Sequence, residues 1–125
     1  VSVINDFKQS INNENILFMG ISFKENVNDL RNSKYYDLMI KISKSKKCYF
    51  YDPLANIKST GKLVKFNVKN KIKFKTIILA VNHKEINKYL KDNIDKILKK
   101  NGTLIDFNKK FKINTKKYNF NYLSL

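Results

Sequence analysis

The chain has little cysteine and histidine, and this shortage narrows its possible chemistry. Its 125 residues include one cysteine, Cys48, and one histidine, His83. An internal disulfide is therefore excluded, and these two residues cannot supply a four-ligand zinc site. The sequence also lacks an apolar run near the roughly 18 residues that cross a membrane, and the N-terminus lacks the basic and apolar pattern of a secretion signal. These features predict a cytoplasmic protein without a membrane span.

Acidic residues are also scarce. The chain has 10 of them against 26 basic residues, which gives a net charge of +16 at pH 7. Such a charge ordinarily indicates an anionic partner such as nucleic acid. The lysines, however, run almost evenly from Lys8 to Lys117, alongside 18 asparagines and 15 isoleucines. This even spread favours a solvated lysine surface, and a lysine-rich nucleic-acid-binding module stays as the alternative.

Arginine occurs only once, beside 25 lysines. Arg31 lies in a polar stretch that runs from Phe23 to Ser33. Its planar guanidinium suits bidentate contact with phosphate or carboxylate, whereas the lysine ammonium is a flexible point charge. We therefore interpret this stretch as a candidate ligand-binding loop, although Asp29 and Arg31 could instead pair and hold the loop together.

Apolar periodicity predicts alternating strands and helices. The predicted strands are residues 16–19, 48–51, 63–66, 75–81, 103–107 and an edge strand within 118–123. The predicted helices are the end of a helix within residues 1–14, one from Ser33 through Ile42, one that begins at Asn82 with a capping box, and a short one that ends at Asn101-Gly102. This order indicates an α/β fold, a Rossmann-like three-layer α/β/α sandwich with a mostly parallel sheet.

Ligands in such folds gather at the carboxyl ends of the strands, and the stretch from Phe23 follows the first strand directly. A dinucleotide fingerprint is nevertheless absent, because Ser22 and Glu25 stand where glycines would be needed after Gly20. The layout is therefore Rossmann-like without the usual pyrophosphate cradle.

Three further residues have structural interpretations. Asp52 follows a strand, where a ribose-binding acid would lie in a dinucleotide fold, but Asp-Pro more often starts a turn. His83 is expected to neighbour a helix cap rather than to catalyse. Cys48 lies in an apolar strand and is expected in the core.

The residues from Met19 to Ser33 carry a family resemblance. They contain glycine, two residues, Phe-Lys, four residues and Asp-x-Arg-x-Ser, and Tyr51-Asp52-Pro53 follows about twenty residues later. This pattern resembles the C-terminal domain of the UDP-glucose/GDP-mannose dehydrogenase family over residues 15–107. The Lys-Glu-Asn and Asp-Leu-Arg-Asn-Ser sequences are most similar to the branch that oxidises UDP-N-acetylhexosamines.

The resemblance implies a UDP-sugar-binding C-terminal domain at residues 15–125, preceded by the end of a connecting helix at 1–14. The whole enzyme would be an NAD-dependent oxidoreductase that oxidises the C6 alcohol of UDP-N-acetylhexosamine or UDP-glucose to the uronate, for surface polysaccharide precursors. NAD would be bound mainly by an N-terminal domain outside this chain, which begins with Val1 and is expected to be a piece of a longer, homodimeric protein. The fragment alone would be inactive, with no catalytic residue of its own.

Carried over by position, Phe23 and Lys24 would contact the UDP-sugar, and Arg31 would reach the NAD side or the domain interface. The family often has Asp-x-Arg or Asp-x-Lys after its last core strand. In this chain Asn108 stands where the family has the basic residue, and the lysine comes one position later, at Lys109. Beside the nucleic-acid module, a purely structural dimerisation domain is the remaining alternative.

Overall fold

The structure is a computed structural model, and it describes residues 15–21, 34–53, 59, 61–67, 69, 72–107 and 120–124. These residues form six strands and two helices. The strands are β1 (Ile16–Met19), β2 (Cys48–Tyr51), β3 (Leu63–Lys65), β4 (Phe74–Leu79), β5 (Leu98–Asp106) and β6 (Asn121–Ser124). The helices are α1 (Lys34–Ser43) and α2 (Lys84–Ile97). The helix predicted within residues 1–14 lies outside the described residues.

The six strands form one sheet in the order β3-β2-β1-β4-β5-β6, and every described pairing is parallel. The strand order reverses direction between β1 and β4, which makes this pair the topological switch point of the sheet. The Rossmann-like α/β fold predicted from the sequence is confirmed, with a fully parallel sheet among the described strands. All the strands therefore end at one edge, which we call the carboxyl edge.

The sheet is covered on both faces, as expected for parallel strands. One face packs against α1, where Met39 and Ile42 are buried in a cluster with Phe18 and Phe50. The opposite face packs against α2 through one stripe of buried apolar residues: Ile86, Leu90, Ile94 and Ile97. This arrangement accounts for the β1 sequence, in which all four residues are apolar and buried.

The prediction of two short helices after β4 is wrong, because α2 is a single helix. Its apolar stripe continues at helical spacing to Ile97, and Leu98 already has extended backbone angles. Asn101 and Gly102, interpreted as a helix stop, lie inside β5 at an irregularity in its pairing with β4. Asn101 has a φ of 62°, so this Asn-Gly pair uses its conformational freedom to bend a strand rather than to end a helix.

The capping box at Asn82 is also not formed. The N-cap of α2 is His83, whose carbonyl accepts the first helical hydrogen bond from Asn87 N–H at 2.9 Å. Asn82 instead directs its side chain to Asn87 Oδ1, at 3.3 Å. Neither described helix is long and apolar enough to cross a membrane.

Candidate functional site

The carboxyl edge is tightly closed between β1 and β4. Beyond the strand ends, Ala80 N–H donates to Met19 O at 2.9 Å, and Val81 N–H donates to Gly20 O at 3.1 Å. Gly20 has a φ of +80°, and a Cβ atom there would lie 1.8 Å from the carbonyl oxygen of Val81. Only glycine fits this crossing, both because of its backbone angle and because of its close contact with Val81, just beyond β4.

The same glycine redirects the chain as it leaves β1. Gly20 N–H donates to Tyr51 O at 3.0 Å, and the next amide, Ile21 N–H, donates to Asp52 Oδ2 at 2.8 Å. In a regular strand, successive amides point to opposite neighbours. Here two successive amides are both accepted by the end of β2, which is possible because the positive φ of Gly20 turns the backbone.

Asp52 is the centre of this arrangement. Its side chain is fully buried, and Oδ2 lies 3.2 Å from Nε2 of His83, which is itself 1% exposed. A carboxylate can only accept hydrogen bonds, so the contact requires the imidazole proton on Nε2. One carboxylate oxygen thus joins the exit of β1, the exit of β2 and the start of α2. We call Asp52, His83 and the Ile21 amide the edge clamp.

Two tyrosines and a glutamate flank the edge clamp on the α2 face. The rings of Tyr51 and Tyr89 lie 5.6 Å apart between centroids. Burial raises the pKa of Tyr51 above its ordinary value, and the nearby charges of Glu85 and Asp52 raise it further. The pKa of Tyr89 is raised mainly by burial, with a contribution from Tyr51. Both hydroxyls therefore remain neutral donors at neutral pH.

Asn82 adds an unsatisfied acceptor beside His83. Among the residues that the structure describes, Asn82 Oδ1 is the buried side-chain atom that lacks a hydrogen-bond partner. An acceptor left in that state costs about 1 to 3 kcal/mol. Asn82 is the third residue after β4, on the side of the switch point where ligands of open α/β sheets bind.

A second buried carboxylate lies at the end of β5. Tyr122 on β6 donates its hydroxyl to Asp106 Oδ2 at 2.6 Å, and Asp106 is fully buried. Burial, followed by this hydrogen bond and the charge of Asp106, raises the pKa of Tyr122 to about 12. The contact fastens the edge strand β6 to the sheet, away from the switch point.

The site residues predicted from the sequence, Phe23, Lys24 and Arg31, lie outside the described residues, as do Asn108 and Lys109. The structure describes the chain up to Ile21 and again from Lys34. Ile21, whose amide belongs to the edge clamp, therefore precedes Phe23 by two residues. The structure therefore leaves the roles of these residues as predictions.

The structural interpretations of the other residues can be compared directly. Cys48 is buried in β2, and burial raises the pKa of its thiol to about 12, which confirms it as a core residue. The sequence indicates a turn residue at Asp52 and a cap neighbour at His83, and the structure brings these two side chains into contact. Sequence reasoning missed their contact because the two residues are 31 positions apart.

The described residues contain no group of three His, Cys, Asp or Glu side chains that could hold a metal ion. The buried carboxylates of Asp52 and Asp106 at the carboxyl edge instead accept hydrogen bonds, in the edge clamp and in the Asp106–Tyr122 pair.

Comparison with protein families identifies the domain type. Residues 17–113 match the UDP binding domain of the UDP-glucose/GDP-mannose dehydrogenase family. The chain belongs to this family. The match covers the glycine crossing, the edge clamp and the polar stretch that contains Phe23, Lys24 and Arg31. No curated protein sequence matches the chain significantly.

Solved structures share the fold of this dehydrogenase-family domain. A derivative structure of the UDP-N-acetyl-mannosamine dehydrogenase from Staphylococcus aureus is 17% identical, with a TM-score of 0.73. A structure of the UDP-D-ManNAc dehydrogenase from Pyrococcus horikoshii is 20% identical, with a TM-score of 0.67. In both cases the alignment covers 98% of this chain and 29% of the solved chain. The chain thus spans less than a third of the length of these enzymes.

Proposed function

We propose that this chain is the UDP-sugar-binding C-terminal domain of an NAD-dependent nucleotide-sugar 6-dehydrogenase. The match of residues 17–113 to a UDP binding domain is the observation that carries the proposal. It is supported by two structural neighbours whose names give UDP-N-acetyl-mannosamine as substrate. The reaction would oxidise the C6 alcohol of a UDP-sugar, UDP-N-acetylhexosamine or UDP-glucose, to the uronate for surface polysaccharide precursors.

In this proposal the substrate contacts come from the polar stretch that follows the edge clamp. Phe23 packs against the nucleotide, and Lys24 neutralises charge on the UDP-sugar. Arg31 uses its guanidinium fork towards the cofactor side or the domain interface. The carboxyl edge between β1 and β4 supports this placement, since it is where ligands of open α/β sheets bind.

The described residues do not fit NAD bound in the Rossmann manner. The exit of β1 lacks the glycine-rich turn, and the Gly20 and Ile21 amides are both occupied by the end of β2. Asp52, at the position of a ribose-binding acid, is buried and engaged with Ile21 and His83. We therefore assign NAD mainly to other domains of the same protein, in a cytoplasmic homodimer, with Arg31 as the contact from this domain.

Titration with UDP and with a random-sequence oligonucleotide tests the proposal. We expect saturable UDP binding, with weak oligonucleotide binding that disappears as salt is added. The net charge of +16 makes the salt series necessary, since any polyanion will associate with such a chain at low ionic strength. Tight, steeply salt-dependent oligonucleotide binding without a response to UDP would instead establish a nucleic-acid-binding module.

A further inference from the structure

The edge clamp joins three elements through a single buried oxygen atom. Asp52 Oδ2 accepts Ile21 N–H at 2.8 Å and lies 3.2 Å from His83 Nε2. The side chains of Asp52 and His83 are 0% and 1% exposed, respectively. Since a buried carboxylate is costly unless hydrogen-bonded, the contacts with His83 and with the Ile21 amide both contribute to holding it in place.

Stability alone does not account for the clamp. Buried polar pairs can often be replaced by well-packed apolar residues at little cost, so they are weak stabilisers. The effect of this pair is to orient the backbone. Asp52 accepts the Ile21 N–H, which is the second of two successive amides that turn towards β2. It thereby fixes the course of the backbone as it leaves β1, two residues before Phe23.

We propose that Asp52 and His83 are positioning residues for UDP binding, and that they act through the Ile21 amide without contacting the nucleotide. This inference rests on the proposed function of the domain. His83 donates from Nε2 to hold the carboxylate, the carboxylate holds the Ile21 amide, and the fixed amide sets the backbone that leads to the substrate contacts. Loss of the His83 donor therefore weakens UDP binding, although His83 itself is buried and does not contact the nucleotide.

A matched set of variants tests this chain of contacts in the intact protein. His83→Ala removes the donor, whereas His83→Gln places an amide N–H near the position of Nε2. Tyr122→Phe is the control, because it removes a hydroxyl donor from the other buried carboxylate, Asp106, at the same edge. UDP affinity by calorimetric titration is measured beside single-amide hydrogen exchange in the ligand-free protein.

We expect His83→Ala to raise the Kd for UDP about 10-fold, the effect of losing about 1.4 kcal/mol of binding energy. His83→Gln should stay within about 2-fold and Tyr122→Phe should match the wild type. Exchange at Ile21 should accelerate in His83→Ala while Ala80, whose amide is held by Met19 O, stays protected. Should His83→Ala fail to fold, His83→Asn replaces it, since its shorter amide remains polar but does not reach Asp52.

Three results would overturn the positioning role while leaving the proposed function intact. One is wild-type UDP affinity in His83→Ala despite faster exchange at Ile21, and another is equal weakening in Tyr122→Phe. The third is a loss in His83→Gln as large as in His83→Ala. Absence of UDP binding by the wild-type protein is a different outcome, which would overturn the proposed function and the positioning role with it.

Discussion

Gly20 is the residue on which the geometry of the carboxyl edge depends most directly. It has a left-handed φ, and the backbone of Val81, just beyond β4, approaches so closely that a side chain has no space. Gly61 offers a matched comparison, since it also has a positive φ, but among the described residues beyond its chain neighbours no atom lies within 4 Å of the place that a Cβ would occupy. A comparison of alanine substitutions at the two glycines therefore separates the free-energy cost of the left-handed backbone from that of a clash with neighbouring backbone atoms.

Gly20→Ala is therefore expected to destabilise the fold far more than Gly61→Ala. The left-handed backbone alone costs about 1 to 2 kcal/mol at either site. At Gly20 the clash with Val81 O adds on the order of 2 kcal/mol or more, because backbone cannot move aside as a flexible side chain does. Urea unfolding of both variants measures the difference, and equal losses would show that β1 and β4 can separate without cost.

Lys24 and Arg31 carry the ligand contacts in the proposed function. A charge-assisted hydrogen bond contributes about 1.5 to 3 kcal/mol, so Lys24→Ala and Arg31→Ala should each lower kcat/KM about 10- to 100-fold when the full-length protein is assayed for the proposed UDP-sugar oxidation. Lys41→Ala is the control, because Lys41 is an exposed lysine on α1. Unchanged turnover with altered assembly in the two variants would support a dimerisation domain instead.

At the scale of elements, the strands could be predicted well from the sequence and the junctions could not. The apolar runs of β1, β2 and β4 are buried on both faces, so their composition identifies them. The helix end predicted at Asn101-Gly102 is wrong because an Asn-Gly pair is equally compatible with a helix C-terminus and with an irregularity in a strand. The Asp52–His83 contact could not be predicted, because it depends on how three separate elements align in the sheet.

The attachment of β6 through Tyr122 has a consequence for alkaline stability. The folded pKa of Tyr122 is about 12, against an ordinary value of 10.0. An acid whose pKa is raised by folding stabilises the fold fully below its unfolded pKa, and this contribution is lost as pH rises through the folded pKa. The stabilisation from Tyr122 should therefore decline between pH 10 and pH 12.

Tyr122→Phe isolates this effect from the other tyrosines and the lysines. We expect the wild type to be more stable than the variant at about pH 9, and the difference to shrink at about pH 11. Urea unfolding at each pH gives the two free energies. A difference that stays constant or grows with pH would mean that folding does not raise the pKa of Tyr122.

At the scale of the whole molecule, the buried thiol of Cys48 reports on the integrity of the core. It is fully buried in β2, and its pKa of about 12 leaves little thiolate at neutral pH. Alkylation at about pH 8 should proceed only through unfolding, on the order of 100-fold or more slower than in denaturant. Mass-spectrometric peptide mapping measures this rate, with Lys41→Cys as an exposed control thiol, and rapid labelling of the native protein would contradict the packing of β2.

The parallel sheet also has practical value for engineering, because it separates the ends of every strand. The edge clamp and the Asp106–Tyr122 pair lie at the carboxyl edge, whereas the turn at Gly61 and Lys62 precedes β3 at the other rim. With about 3.3 Å per strand residue, β1 and β4 hold these rims roughly 13 to 20 Å apart. A fluorophore or affinity tag grafted into that turn would report on the protein from a position remote from the edge clamp and from the nucleotide site proposed beside it.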